Sequence, residues 1–133
     1  MIVVDTSALI AILTREPEHS HFLHLLDQVE RRLVSAVTYY EAGIVMQARA
    51  GAGGLDDLND LLQAISAEIV PFDQAQAASA LTAYARYGKG IDPKARLNLG
   101  DCASYALAKG LNAPLLFRGT DFAATDVVVA ISS

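Results

Sequence analysis

The sequence predicts an α/β fold, a central and mainly parallel β-sheet of about five strands flanked by helices. Three observations carry that expectation: short apolar, β-branched runs recur along the chain, segments of helical spacing separate them, and capping or turn residues punctuate the changes. At 133 residues the chain has the length of one domain, taken as 1–133, and is long enough to bury a substantial core.

Ile2-Val3-Val4 forms the first strand, and Asp5-Thr6-Ser7 turns it into a helix that runs through Ala8 to Leu13. After Pro17, Phe22, Leu23, Leu25, Leu26 and Val29 recur at helical spacing until Arg31-Arg32 closes the segment with cations suited to a helix C-terminus. Leu33 to Val37 is the second strand. Thr38 and Glu41 have the spacing of a capping box, so the next helix is expected from Thr38 to Arg49, stopped by Gly51-Ala52-Gly53-Gly54, with a separate helix from Leu55 to Ile65. Glu68 to Phe72 is the third strand, and Asp73 caps a helix reaching Tyr87. A long loop, Gly88 to Gly100, is a candidate functional segment. Asp101 opens a helix stopped by Gly110. Leu115 to Phe117 is the fourth strand, Gly119 to Thr125 a turn or a single helical turn, and Val127 to Ile131 the fifth strand.

Composition removes several classes. Hydrophobic residues are 53% and charged residues 19%, too apolar for intrinsic disorder. The longest apolar runs fall far short of the ~20 residues of a membrane-spanning helix, so no membrane association is expected. An acid already stands at Asp5 and no basic region precedes the apolar start, so no secretory signal is expected and the cytoplasm is the default location. The single cysteine, Cys102, allows neither an internal disulfide nor a thiolate metal site. A net charge of −5 repels a phosphate backbone, so a nucleic-acid ligand needs a local basic patch or a bridging cation.

Ligands of open α/β sheets bind beyond the carboxyl ends of the strands. Asp5 follows the first strand, Glu41 lies about one helical turn after the second, and Asp121 lies four residues past the fourth; Asp101 enters from the long loop. Helix caps and an Asx turn account for each acid singly. A shared site accounts for all of them together. Carboxylates confined in one place raise one another's pKa unless a cation neutralises them, and an oxygen-only donor set suits Mg²⁺ or Mn²⁺. Such an ion supports hydrolysis of a phosphodiester bond.

The words around these acids are more specific. Val3-Val4-Asp5-Thr6-Ser7-Ala8-Leu9-Ile10-Ala11, Tyr40-Glu41-Ala42, Leu97-Asn98-Leu99-Gly100-Asp101-Cys102-Ala103-Ser104-Tyr105-Ala106-Leu107-Ala108 and Leu115-Leu116-Phe117-Arg118-Gly119-Thr120-Asp121-Phe122-Ala123-Ala124-Thr125-Asp126 resemble, in order and spacing, the signatures of PIN-domain ribonucleases, above all the VapC toxins of VapBC toxin–antitoxin pairs. The resemblance covers essentially the whole chain. It implies a PIN-like α/β/α domain, Mg²⁺- or Mn²⁺-dependent endoribonuclease activity, and inhibition by a cognate VapB-type antitoxin. Asp5, Glu41, Asp101 and Asp121 match the family's acidic quartet, as catalytic residues and metal ligands, with Asp5 and Asp101 in the most distinctive motifs. Thr6 and Ser7 match hydroxyl positions that orient the first carboxylate or a metal-bound water. Asp126 is read as structural. Two positions depart from the pattern: Thr120 stands where relatives often carry Asn or Asp, and Asp92-Pro93 where a His-Pro pair is common.

Arg86, Lys89, Lys94 and Arg96 concentrate positive charge in the segment leading to Asp101 and are RNA-binding candidates, as is Arg118, which could instead pair with the acidic cluster. His19, His21 and His24 read as a solvated helix face, Cys102 as a packing residue without an activating base, and most tyrosines as amphipathic packing. The apolar content suits a homodimer, and the helices over Leu9–Leu26 and Tyr39–Met46 suit a groove for an antitoxin helix. The alternative to a nuclease is a catalytically silent module that binds protein or RNA. A phosphatase or receiver ranks last, because Asp5-Thr6-Ser7 lacks the second aspartate those sites need.

Overall fold

A computed structural model describes residues 1–130. The elements follow one another as β1 (Ile2–Val4), α1 (Thr6–Leu13), α2 (His19–Asp27), β2 (Arg32–Ser35), α3 (Ala36–Ala64), β3 (Ala67–Val70), α4 (Gln74–Tyr87), α5 (Leu99–Leu111) and β4 (Leu115–Leu116), with a 3₁₀ turn at Asp121–Ala124. The four strands among the described residues form one parallel sheet in the order β3-β2-β1-β4.

Alternation along the strands decides the layers. Ile2 and Val4 of β1, Val34 of β2 and Leu116 of β4 face α1, α2 and the first half of α3, where Leu9, Phe22, Leu26 and Met46 pack. Val3, Leu33 and Leu115 point to the opposite face, against Ala83 and Tyr87 of α4 and Leu107 of α5. Both faces are therefore covered, and the β1 residues are at most 2% exposed. The chain steps outward from β1 through β2 to β3, then crosses the other face through α4 and α5 to return as β4 on the far side of β1. This reversal makes the carboxyl ends of β1 and β4 the topological switch point, the place where open α/β sheets hold ligands. The Asp5 amide donates to the Leu116 carbonyl at 2.9 Å at that edge.

The structure corrects several sequence expectations. The helices expected over 38–49 and 55–65 are one helix with a kink, because Ala50 and Gly51 leave helical geometry, Gly51 with φ 62°, without ending the hydrogen-bonded run. Gly54 then seats against the Met46 carbonyl, where a β-carbon would collide. The α3 cap is Ser35, whose hydroxyl accepts from the Val37 amide at 3.2 Å; Thr38 lies inside the helix, fully buried, and makes no capping box with Glu41. Asp101 is the third residue of α5, and Asn98 is its cap. Gly110 continues α5, whose end is Asn112 in the left-handed region. The segment expected as a fifth strand touches β4 only through a parallel bridge of Leu115 with Val129, and its expected end at Ile131 lies outside the described residues. Val128 and Val129 are exposed, while Val127 is buried with Leu115 and Phe122.

Candidate metal centre

Asp5 stands at the C-terminal end of β1 and caps α1, with extended backbone (φ −80°, ψ 159°). Its carboxylate is 1% exposed and surrounded by donors. Ser7 gives Oδ2 its amide at 3.0 Å and its hydroxyl at 2.7 Å, and Ser104 Oγ donates to Oδ1 at 2.7 Å. Ser7 Oγ in turn accepts the Arg118 amide at 2.9 Å, tying the loop after β4 to the same carboxylate. Burial pushes the Asp5 pKa up from its ordinary value, and the Ser104 and Ser7 donors oppose that rise.

Glu41 projects from the second turn of α3. Thr6 Oγ1 donates to its Oε1, so the hydroxyl beside Asp5 serves Glu41 while Ser7 serves Asp5. Gly100 lies against the Glu41 carboxylate so closely that a β-carbon there would overlap it. Asp101 and Asn98 form a capping box: the Asp101 amide donates to Asn98 Oδ1 at 2.8 Å and the Asn98 amide to Asp101 Oδ2 at 3.0 Å. Even with that donor, the Asp101 pKa is raised to about 7, first by burial and then by the charges of Asp5, Glu41 and Asp121. The acids expected to share one site are thus close enough to repel one another. Asp121, at the start of the 3₁₀ turn, lines a cavity of about 290 Å³ together with Asp101, Asn98, Lys89 and Arg96.

Among the described residues, no three His, Cys, Asp or Glu side chains are arranged closely enough to enclose a metal ion as they stand. Their chemistry nevertheless fits a hard dication. Every donor is an oxygen, two of the acids line an open cavity, and Asp101 carries the repulsion that a counter-ion relieves. Asp101, Asp121 and Glu41 would hold such an ion, with Asp5 presenting whatever lone pair its three donors leave.

The basic candidates divide. Lys89 and Arg96 reach the cavity, and Arg96 does so from left-handed backbone (φ 54°) between the buried anchors Ala95 and Leu97. Arg86 instead sits over the Tyr87 ring and 4.0 Å from Asp126. Lys94 is exposed and engages Asp92 through its amide. Arg118 does not pair with the acidic cluster: its guanidinium holds Glu18 at 2.6 Å and Glu16 at 3.3 Å. Asp126 binds the Tyr105 hydroxyl and, at 3.2 Å, Lys109, which lowers its pKa and fits a structural role. Cys102 is buried, and burial raises its thiol to about 11, so it stays a neutral packing residue. Tyr87 and Tyr105 pack in the core as expected, whereas Tyr40 is 72% exposed. Ser104, Gly100 and Asn98 were not singled out from the sequence. Ser104 had a signal: three residues after Asp101 on one helix, it shares that acid's face.

Residues 2–128 match the family model described as PIN domain. The chain is 46% identical over 125 residues to Ribonuclease VapC of Mycolicibacterium smegmatis, covering 94% of this chain and 96% of that one. It superimposes on the crystal structure of Mycobacterium tuberculosis VapC20, a sarcin-ricin loop cleaving toxin, with a TM-score of 0.78 at 16% identity, covering 96% of this chain and 97% of that one. VapBC2 from Rickettsia felis, solved on a DNA fragment from its promoter, gives a TM-score of 0.73 at 18% identity over 97% of this chain and 96% of that one. A sheet whose switch point gathers buried and cavity-lining acids, matched along nearly its whole length by these relatives, places the chain in the PIN-domain family, on its VapC branch.

Proposed function

We propose that this chain is the toxin of a type II toxin–antitoxin pair, an endoribonuclease that hydrolyses RNA phosphodiester bonds with Mg²⁺ or Mn²⁺ and is held in check by a cognate VapB-type antitoxin in the cytoplasm. One observation carries the catalytic reading: Asp101 lines an open cavity with Asp121 while the charges of Asp5, Glu41 and Asp121 raise its pKa. The kinship with VapC ribonucleases supports the substrate class.

When bound, the ion supplies a polarised phosphoryl oxygen and a water of lowered pKa. The protein's own residues do the rest. Lys89 and Arg96, on the wall opposite in charge to Asp101 and Asp121, draw the RNA phosphates to the cavity despite the net charge of −5. Thr6 and Ser7 fix Glu41 and Asp5, so neither carboxylate must reorganise when substrate arrives. Lys94, Arg86 and Arg118 remain secondary RNA contacts, the last two available only when Asp126 and Glu16–Glu18 release them.

The antitoxin reading is supported by the cavity of about 640 Å³ between α2 and the end of α3, where Leu23, Leu26, Leu61 and Ile65 line it beside Asp27 and Arg32, and separately by Tyr40 and Ile44, exposed one turn apart near the start of α3. A homodimer is supported by a second apolar face, where Leu81 and Leu99 are 73% and 77% exposed.

The test is end-mapped cleavage of total cellular RNA by purified, antitoxin-free protein with Mg²⁺ or Mn²⁺, beside Asp101→Asn and an EDTA control. Discrete cuts that vanish in both controls are expected. Folded protein that makes no cuts under any condition would replace this reading with a silent binding module.

A further inference from the structure

Behind Asp5 lies a chain of hydroxyls that the acidic quartet does not include. Ser104 Oγ is 2.7 Å from Asp5 Oδ1, and Thr38 Oγ1 is 3.0 Å from Ser104 Oγ; both hydroxyl residues are fully buried. Their sequence separations, 99 and 66 residues, mean that β1, α3 and α5 meet at this point.

The polarity of the chain follows from chemistry. An ionised carboxylate only accepts, so the Ser104 proton is committed to Asp5. With its one proton spent, Ser104 Oγ can only accept from Thr38, which makes Thr38 the donor. The two Asp5 oxygens are then unequal. Oδ2 accepts two donors from Ser7, whereas Oδ1 accepts one, from Ser104, and retains a lone pair.

We infer that Ser104, with Thr38 behind it, is a positioning residue that fixes the rotation of the Asp5 carboxylate so that Oδ1 is its cation-ligating oxygen. This rests on the proposed cation site. Without Ser104, Oδ2 keeps its two Ser7 donors, while Oδ1 loses the side-chain partner that defines its direction. Thr38 acts one step further back: it holds the Ser104 oxygen where its proton meets Asp5.

The experiment is calorimetric titration of Mn²⁺ into the free chain, with Mn²⁺ electron paramagnetic resonance as a second readout and thermal melting as a check on folding. Four proteins are compared with wild type: Ser104→Ala, Thr38→Val, Thr38→Ser and Asp101→Asn. Wild type is expected to bind Mn²⁺ and Asp101→Asn to lose most of that binding. Ser104→Ala is expected to raise the Mn²⁺ Kd about tenfold or more, the usual effect of removing a group that orients a ligand. Thr38→Val, which keeps shape but not the hydroxyl, moves Kd in the same direction by a smaller factor, and Thr38→Ser returns it to wild type. A merely structural role would lower the melting temperature of Ser104→Ala and Thr38→Val while leaving Kd and the resonance spectrum unchanged, which overturns the inference. If Ser104→Ala does not fold, the Thr38 pair decides by the same criterion. Failure of wild type to bind Mn²⁺ overturns the cation site itself, and this inference with it.

Discussion

Gly100 supports the carboxylate of Glu41: the position a β-carbon would take at residue 100 is already filled by both carboxylate oxygens of that glutamate, which reaches it from another helix. The glycine is inside α5, with no left-handed backbone to require it. Its purpose is therefore space.

Gly100→Ala follows directly. Alanine is the better helix former by about 0.5–1 kcal/mol, and the group in its way is the end of a flexible side chain, so unfolding stability should hold or rise. The displaced Glu41 should show instead as a fall in RNA cleavage of roughly tenfold or more. Paired melting curves and single-turnover cleavage check this; equal cleavage with intact folding would mean the Glu41 position does not matter.

Asp101 gives the free protein a pH dependence of defined sign. Its pKa is about 7 in the fold against an ordinary 3.8, so between these values the folded chain binds more protons than the unfolded one. Its contribution is complete below about pH 4 and is lost as pH rises through 7. Urea denaturation in EDTA should show this slope, and Asp101→Asn should flatten it. Added Mn²⁺, competing with protons for the same carboxylates, should stabilise wild type more at pH 8 than at pH 5.5.

Asp5→Asn should fold and fail to cleave. The amide keeps the shape and one acceptor for Ser7, while its NH₂ donates toward Ser104, whose oxygen can accept. Removing a charge that burial already disfavours costs the cation-free fold little. Cleavage should drop on the order of 10²-fold or more, measured on a substrate mapped for wild type.

Among the basic residues, Lys89→Ala and Arg96→Ala should raise KM and reduce the salt dependence of RNA binding, by about 0.7 in the log–log slope for each lost phosphate contact. Arg86→Ala should change both less than either of these, since that side chain is engaged at Tyr87 and Asp126 and reaches RNA only when released. Fluorescence anisotropy across a salt series separates these cases.

The sheet was legible because its elements obey local rules. β1, ending at Val4, and α4, opening at the Asp73 cap, stand where their residues predict. The motif words single out four acids as the proposed quartet, and in the fold Asp101 feels the charges of the other three. What escaped was tertiary. The glycines after Arg49 read as a stop, but Gly54 packs on Met46 and the helix continues across a kink. Thr38 had the spacing of a cap, yet Ser35 took that role and freed Thr38 for Ser104 on a helix far along the chain. Arg118 was drawn toward the acidic cluster by proximity in sequence, while Glu16 and Glu18 compete for it from the loop after α1.

Arg118 has two separate attachments: its main-chain amide holds Ser7 Oγ, and through it Asp5, while its guanidinium faces outward to Glu16 and Glu18. Any residue except proline carries that amide. Position 118 therefore divides a main-chain duty from a replaceable surface identity, so the outer rim of the site can exchange its side chain while the carboxylate beneath keeps its bearing.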